Sequence, residues 1–197
     1  MQTLIQIASF LINTLGTLYL LAILLRFMLQ LARADFYNPF SQLIVKLTNP
    51  LLIPFRRVIP GLWGVDFAAI VLALVFHAIA LELLIFVGSG QIALNLLIIA
   101  WSFIGNALFM ITIYLISLII MAIASFIAPY SAHPILVLIR QMNEPLLRPI
   151  RRFIRPAGGM DFSVMFASIG LIVIQMVLVG IANGVSTPLH FILGWFL

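Results

Sequence analysis

The sequence predicts an all-α membrane protein in which four transmembrane helices form two parallel-repeat hairpins, each with a basic amphipathic cytoplasmic loop. Three observations predict this fold class: the composition is apolar, the apolar residues form long runs, and one basic pattern occurs twice. Of the 197 residues, 64% are hydrophobic and 8% are charged, and the mean hydropathy is +1.28. Such values lie outside the usual range of soluble globular domains.

Four apolar segments are long enough to cross a hydrocarbon core of about 30 Å, which takes roughly 20 helical residues. They comprise residues 3–31, 67–87, 92–128 and 162–182. The third segment is longer than one crossing requires. It leaves two interpretations open: two short spans, or one span preceded by an interfacial lead-in at residues 92–97.

The distribution of basic residues favours one crossing for the third segment. Lys and Arg collect in the cytoplasmic loops of membrane proteins. All ten in this chain lie in two segments or at the end of the first span. Two crossings by the third segment would put the basic segments on opposite sides of the membrane, whereas one crossing puts both in the cytoplasm. We therefore expect both termini to lie on the outer side.

One basic pattern occurs twice, at an offset of 95 residues. NPLLIPFRRVIP begins at Asn49, and EPLLRPIRRFIRP begins at Glu144. Such self-similarity indicates an internal duplication. Because each copy contains an even number of spans, the copies are expected to point the same way. The predicted divisions are repeat 1 at 1–90, repeat 2 at 91–184 and an interfacial C-terminal tail at 185–197.

The two predicted basic loops, residues 33–66 and 129–161, combine prolines with arginines. Asn38 and the proline after it can start a short amphipathic helix. We expect Pro50 and Pro54 to end this helix and start another, because proline lacks the amide donor. The second loop is expected to do the same, so both loops would lie on the membrane surface.

The arginines of these loops are the leading candidates for binding lipids or a partner. One interpretation is anchoring to anionic lipid headgroups, which also fixes the topology. The other is docking of an unidentified membrane or cytoplasmic protein through bidentate contacts. Nucleic acid is not expected, because no aromatic interleaving or groove-reading motif accompanies the charges. The candidates are Arg56, Arg57, Arg148, Arg151, Arg152 and Arg155.

Asp66 and Asp161 each follow a glycine-containing turn and precede an apolar run. A carboxylate there is expected to cap the incoming helix and to interact with its positive dipole end. A salt bridge to the neighbouring arginine pair is compatible with capping. A proton or ion relay is the alternative.

His77, Glu82 and Asn106 are polar residues within apolar runs, where ionisable side chains suggest function by default. They are the candidates for a polar path between the repeats. The alternatives are a hydrogen bond that packs helices and, for Glu82, a position at the outer interface. His77 and Glu82 are not duplicated, since Ile172 and Val177 occupy the matching positions.

No motif in the sequence points to an enzyme, a cofactor or a metal site. A glycine-rich phosphate loop, a nucleophile elbow and a carboxylate pair near a catalytic histidine are all missing from it, and the chain has no cysteine. Gly180 and Gly184 form a pair of small residues four apart, which allows close helix contact and makes the chain a candidate homo-oligomer.

The repeated P-L-L-x-P-[FI]-R-R-x-I pattern is followed each time by G-x-D-F, and ARADFYNPFSQ stands at residues 32–42. With these motifs, the chain resembles the bacterial YggT family, also called YlmG, of small integral membrane proteins with a duplicated hairpin. The resemblance covers nearly the whole chain. The copies differ where Ile53 matches Arg148, and the first turn, from Pro60 to Asp66, is one residue longer than its counterpart.

The resemblance implies a bacterial inner-membrane location and a role in tolerance of osmotic shock, through potassium uptake. It also implies links to cell division and nucleoid distribution, and plastid relatives assist assembly of a photosynthetic cytochrome complex. It supplies no catalytic residue set. The hypothesis is therefore a non-enzymatic inner-membrane scaffold or assembly factor that supports osmotic-stress tolerance and membrane homeostasis. The alternative is a component or modulator of a potassium channel or transporter.

Overall fold

The described residues of a computed structural model form six α-helices and cover 2–61, 64–92, 95–127, 131–153 and 161–185. The predicted tail at 185–197 lies outside this part of the chain except for its first residue. In chain order the helices are α1 (Gln2–Leu31), α2 (Pro39–Val58), α3 (Phe67–Ser89), α4 (Leu97–Ile127), α5 (Pro134–Phe153) and α6 (Ser163–Gly184).

Helices α1, α3, α4 and α6 are long and apolar enough to cross a membrane. Large apolar side chains remain exposed along them, for example Leu18, Phe103 and Met176, as expected of surfaces that face lipid. The all-helical prediction and its four candidate spans are confirmed. The third apolar segment forms one helix from Leu97 to Ile127, so the prediction of a single span fits and the alternative of two short spans does not.

The prediction that prolines divide each basic loop into two helices is wrong. Helix α2 continues through Pro50 and Pro54, and α5 continues through Pro145 and Pro149. Each proline removes one donor from the helical ladder. A helix can tolerate that loss where neighbouring side chains satisfy the carbonyl groups nearby.

Helix α1 donates hydrogen bonds to two carbonyl groups of α2 in the turn that precedes Pro50. The Tyr19 hydroxyl donates to the Leu47 carbonyl at 3.2 Å. The Arg26 guanidinium donates to the Val45 carbonyl, also at 3.2 Å. Both donors are distant from α2 in sequence, so the proline positions alone give no sign of these contacts.

Helices α2 and α5 meet at one end of the molecule. The Asn38 side-chain amide donates to the Pro134 carbonyl at 2.7 Å, and the Asp35 amide donates to Gln141 Oε1 at 2.9 Å. The two helices that carry the arginines therefore lie side by side. Among the four apolar helices, α1 packs against α3, α3 against α4, and α4 against α6.

The largest cluster of buried apolar residues lies near this end. It joins the C-terminal half of α1 to α2, α3, α4 and α5, with Met28, Leu52, Leu72, Phe109 and Leu138 among its members. A second cluster packs α5 between α4 and α6 around Leu118 and Leu147. Both basic helices are thus anchored by burial of one apolar face, which fixes where their arginines stand.

Candidate functional site

Arg56 binds Asp66, the residue immediately before the start of α3. Its Nε donates to Asp66 Oδ2 at 3.1 Å, and its Nη2 forms an ion pair with the same oxygen. Asp66 is buried and is the N-cap of α3, where its Oδ1 accepts from the Ala69 amide at 3.3 Å. Gly64, at φ 81°, makes the left-handed turn that leads into this position. One carboxylate therefore joins the end of α2 to the start of α3.

Arg151 makes the matching contact in the second half. Its Nε donates to Asp161 Oδ2 at 2.9 Å, and its Nη1 forms an ion pair with Glu144 Oε2 at 2.8 Å. Asp161 lies one residue before the N-cap position, which Phe162 occupies without a side-chain bond. It accepts instead from the Ser163 amide at 3.0 Å.

The pKa of the Asp161 carboxyl lies below its ordinary value of 3.8. Partial burial raises this pKa, but hydrogen bonds from Ser163 and Arg151, together with the positive charge of Arg151, lower it by more. The ionised carboxylate is therefore the form that the fold stabilises.

Three of the four remaining candidate arginines are exposed. Arg57, Arg148 and Arg152 are exposed, and none forms an ion pair within the described part of the chain. Arg155 lies outside the described residues. Each predicted arginine pair is thus divided, because one member braces the fold while the other leaves its guanidinium available to lipid or partner.

His77 and Asn106 are brought together between α3 and α4. His77 Nδ1 lies 3.0 Å from Asn106 Oδ1, and both side chains are buried. A cavity of about 20 Å³ beside His77 is also lined by Asn13 and Thr17, and it has room for about one water molecule. Glu82 is half-buried farther along α3 and does not line this cavity.

Gly180 and Gly184 make no close helix contact within the described part of the chain. A Cβ built on either glycine would meet no described atom within 4 Å. The pair therefore lies on a face of α6 that is open to lipid or to a second copy.

Arg26 is the residue that the sequence reasoning missed. Its side chain is only 4% exposed, and its Nη1 lies 2.6 Å from Thr48 Oγ1 and 2.8 Å from Asn49 Oδ1. No described carboxylate forms an ion pair with it. A signal was present, since an arginine within an apolar span is rare and usually functional, but its closeness to the end of α1 made it look like part of the basic loop.

Comparison with known proteins finds one family and several relatives. The model of the family described as CCB3/YggT matches residues 5–87 and again residues 92–182. An uncharacterized protein of Pseudomonas aeruginosa is 44% identical over 87% of this chain and 88% of its own length. The uncharacterized protein YggT of Escherichia coli strain K12 is 39% identical over 85% of this chain and 87% of its own. No solved structure matches the chain.

Proposed function

Because this chain belongs to the CCB3/YggT family, and because its two basic helices lie side by side, we propose that it is a non-enzymatic scaffold or assembly factor at the membrane surface. The observation that carries the proposal is the set of exposed arginines on α2 and α5, namely Arg57, Arg148 and Arg152. We place it in the bacterial inner membrane, with the basic helices in the cytoplasm and both termini in the periplasm.

The contact between α2 and α5 supports a parallel arrangement of the two halves. The Asn38 to Pro134 hydrogen bond holds the starts of these helices together. An inverted repeat would separate them by the thickness of the membrane. Basic residues from both halves then face the same leaflet, as the excess of Lys and Arg in cytoplasmic loops requires.

The division of each arginine pair supports a rigid binding surface. We call this surface, formed by the exposed Arg57, Arg148 and Arg152, the platform. Arg56 and Arg151 fix the ends of α2 and α5 to Asp66 and Asp161. The exposed arginines are therefore held at set positions above the spans. Each basic residue near an anionic surface contributes about 1 kcal/mol of attraction, and a guanidinium can also hold a carboxylate or phosphate through two parallel hydrogen bonds.

A platform of this kind would act by holding lipids and protein partners at one place on the membrane. Its loss would be felt as poorer osmotic-stress tolerance and disturbed membrane homeostasis. The non-enzymatic part of the proposal rests on the sequence, which carries no motif for a nucleophile or a bound nucleotide.

The test replaces the exposed arginines and leaves the bracing ones in place. Photoreactive residues near Arg57 and Arg152 would be crosslinked in intact cells, and the products identified as lipid or protein. In a variant with Arg57, Arg148 and Arg152 changed to Gln, we expect crosslinks to anionic phospholipid to fall severalfold and partner recovery to fall with them.

The matched control changes the same three residues to Lys. This variant keeps the charge but loses the planar fork, so it separates membrane attraction from bidentate docking. If the Gln variant crosslinked to the same lipids and proteins at unchanged yield, the proposed platform would have no basis.

The alternative is a component or modulator of a potassium channel or transporter. It is favoured by the buried pairing of His77 with Asn106 at the junction of the two halves, where a polar path is expected. The purified protein in liposomes tests it: potassium or proton flux that Glu82→Gln abolishes would favour transport over the platform. Absence of flux above that of empty liposomes would remove this alternative.

A further inference from the structure

We infer that the first half of the chain contains a phosphate-binding pocket formed by Arg26, Lys46 and Arg56. It binds the phosphate of an anionic phospholipid headgroup or a free phosphate ion. The inference rests on the proposed attachment to anionic lipids and adds a defined site to it. The site differs from the exposed arginines, because its central cation is buried and belongs to α1.

The pocket is an open cavity of about 570 Å³ between α1 and α2. Its lining contains three cations and two side-chain amides, with two apolar residues beside them: Arg26, Gln30, Phe36, Gln42, Val45, Lys46 and Arg56. The only carboxylate joined to any of these cations by a described ion pair is Asp66, which binds Arg56. Three positive charges against one negative charge leave a net charge of about +2, which suits a phosphate group.

The hydrogen bonds of Arg26 leave one edge of its guanidinium available. Nη1 alone contacts the protein acceptors, which are Val45 O, Thr48 Oγ1 and Asn49 Oδ1. Nε is buried without a hydrogen-bond partner in the described part of the chain, and no described hydrogen bond involves Nη2. Nε and Nη2 carry the parallel N–H groups that hold a phosphate or carboxylate in two bonds.

A buried donor without a partner is costly, and an anion in the pocket removes that cost. Unsatisfied buried donors are rare in native proteins, because burial without a hydrogen bond removes the water that would otherwise accept from them. The three acceptors on Nη1 hold the guanidinium in place, while Arg26 lines the pocket. Phosphate oxygens would accept from Nε and Nη2, while Lys46 supplies a further donor.

The depth of Arg26 fits a phospholipid headgroup. It lies five residues before the end of α1, which is about 7.5 Å along the helix at 1.5 Å per residue. Lys46 is exposed and makes no hydrogen bond or ion pair within the described residues. The pocket thus combines a buried arginine and an exposed lysine with the apolar residues Phe36 and Val45. Such a lining suits a phosphate at the boundary between the polar and apolar layers of the membrane.

The second half of the chain lacks the same set of residues. At the offset of 95 residues, Met121 matches Arg26 and Gln141 matches Lys46, and only Arg56 has a basic counterpart, Arg151. The two substitutions that would make repeat 1 resemble repeat 2 are therefore Arg26→Met and Lys46→Gln. They provide natural replacements for a test.

The test measures binding to the purified full-length protein by native mass spectrometry, with added phosphatidylglycerol, phosphatidylcholine or inorganic phosphate. We expect one tightly held phosphatidylglycerol that phosphatidylcholine does not replace. Lys46→Gln should weaken its binding about fivefold, the effect of one basic residue at a membrane surface. Arg26→Lys should weaken it further, because the charge remains but the fork is lost.

The matched control is Arg33→Gln, which removes an exposed positive charge at the end of α1, outside the pocket lining. It should bind as the unchanged protein does. Phosphate that occupies the pocket and displaces the lipid would support the site with a free ion as ligand. Equal binding by Lys46→Gln and the unchanged protein, or no bound phosphate group of either kind, would overturn the inference.

These outcomes separate the pocket from the proposed platform. The Gln variant at Arg57, Arg148 and Arg152 leaves the pocket residues intact, so it should keep its tightly bound lipid even if the platform proposal fails. Conversely, Lys46→Gln can lose that lipid while the crosslinks near Arg57 persist. Failure of one proposal is therefore visible without failure of the other.

Discussion

Each copy of the basic motif holds one arginine by a carboxylate and leaves the next one exposed. The sequence presents Arg56 and Arg57 as equivalent, yet only Arg56 reaches Asp66. The reason is helical geometry, since adjacent residues on a helix point about 100° apart and cannot face the same partner. The Asp66 carboxylate has two structural roles, the ion pair with Arg56 and the cap of α3. A substitution can separate them.

Replacement of Asp66 by Asn and by Ala should separate the ion pair from the cap. Asn retains an oxygen that can accept from the Ala69 amide, whereas Ala retains neither contact. We expect Asp66→Ala to be less stable than Asp66→Asn by about 1 kcal/mol. Thermal or detergent unfolding of the purified protein measures the difference.

Glu144→Gln is the control for this comparison. The Glu144 side chain is 51% exposed in its ion pair with Arg151, and exposed pairs contribute about 0–1 kcal/mol. It should therefore unfold close to the unchanged protein. Equal stability of the Asn and Ala variants at position 66 would show that the cap adds nothing.

Asp161 should make stability depend on acid. Its folded pKa is lower than its ordinary value of 3.8, so the ionised form stabilises the fold at a pH above that value. This contribution is lost as the pH falls through the lowered folded pKa. Between pH 6 and pH 3, we expect the unfolding temperature of Asp161→Asn to fall less than that of the unchanged protein; parallel curves would contradict this.

Among the individual elements, α2 and α5 each continue through two prolines, and side chains from α1 bind two carbonyl groups of α2 in the turn before Pro50. Tyr19 and Arg26 donate to carbonyl groups of the turn before Pro50, and Thr48 donates to the Ile44 carbonyl at 2.7 Å. In α5, the Asn143 side chain donates to the Ile139 carbonyl at 2.9 Å. The sequence rule about proline is correct about the lost donor, but the loss of one donor did not end either helix.

The pairing of α3 with α4 should depend on one buried hydrogen bond. A double-mutant cycle with His77→Leu, Asn106→Leu and the double variant isolates the interaction between these side chains. We expect a coupling free energy of about 1 kcal/mol, the usual range for interhelical hydrogen bonds in membranes. Unfolding of all four proteins under the same conditions gives this value.

A coupling near zero would show that His77 and Asn106 do not stabilise the helix pair. The same variants have a second use, since a polar path for ions would require these side chains for flux. Variants that lose stability but leave flux in liposomes unchanged would assign the pair to packing alone.

At the scale of the whole molecule, the two halves meet through the starts of α2 and α5. Asn38 and Asp35 of the first half contact Pro134 and Gln141 of the second, and the large buried cluster contains residues from both. This arrangement places all basic helices at one end. The proposed platform and the proposed topology both depend on it.

Single cysteines provide a direct measure of that topology, because the chain contains none of its own. We expect Arg57→Cys and Arg152→Cys to react with a membrane-impermeant thiol reagent from the same side. Leu96→Cys, between α3 and α4 and 84% exposed, should react from the opposite side. Labelling of intact cells and of inverted vesicles distinguishes the two sides.

Reaction of positions 57 and 152 from different sides would contradict the parallel arrangement. It would also contradict the proposed platform, since the exposed arginines would no longer share one leaflet. Labelling of position 96 from the same side as both arginine positions would contradict the assignment of α3 and α4 as spans.

The spans could be predicted because their signal is local. An apolar run of about 20 residues must be helical in lipid whatever its neighbours are, since every backbone polar group has to be satisfied within the segment. The bounds of α3 and α6 accordingly agree with the predicted runs to within a few residues. The burial of Arg26 and the His77 to Asn106 contact were not predictable, because each depends on a second helix.

From the sequence alone we could predict that this protein is helical, that it has four apolar helices of membrane-spanning length and that it carries two related basic segments. Composition and the length of apolar runs suffice for those statements. The three-dimensional contacts were needed to see which arginine of each pair is bound by a carboxylate, that α2 passes through its prolines, and that Arg26 is buried against α2. Those features depend on distances of a few ångströms between residues that are far apart in the chain, and local pattern carries no information about such distances.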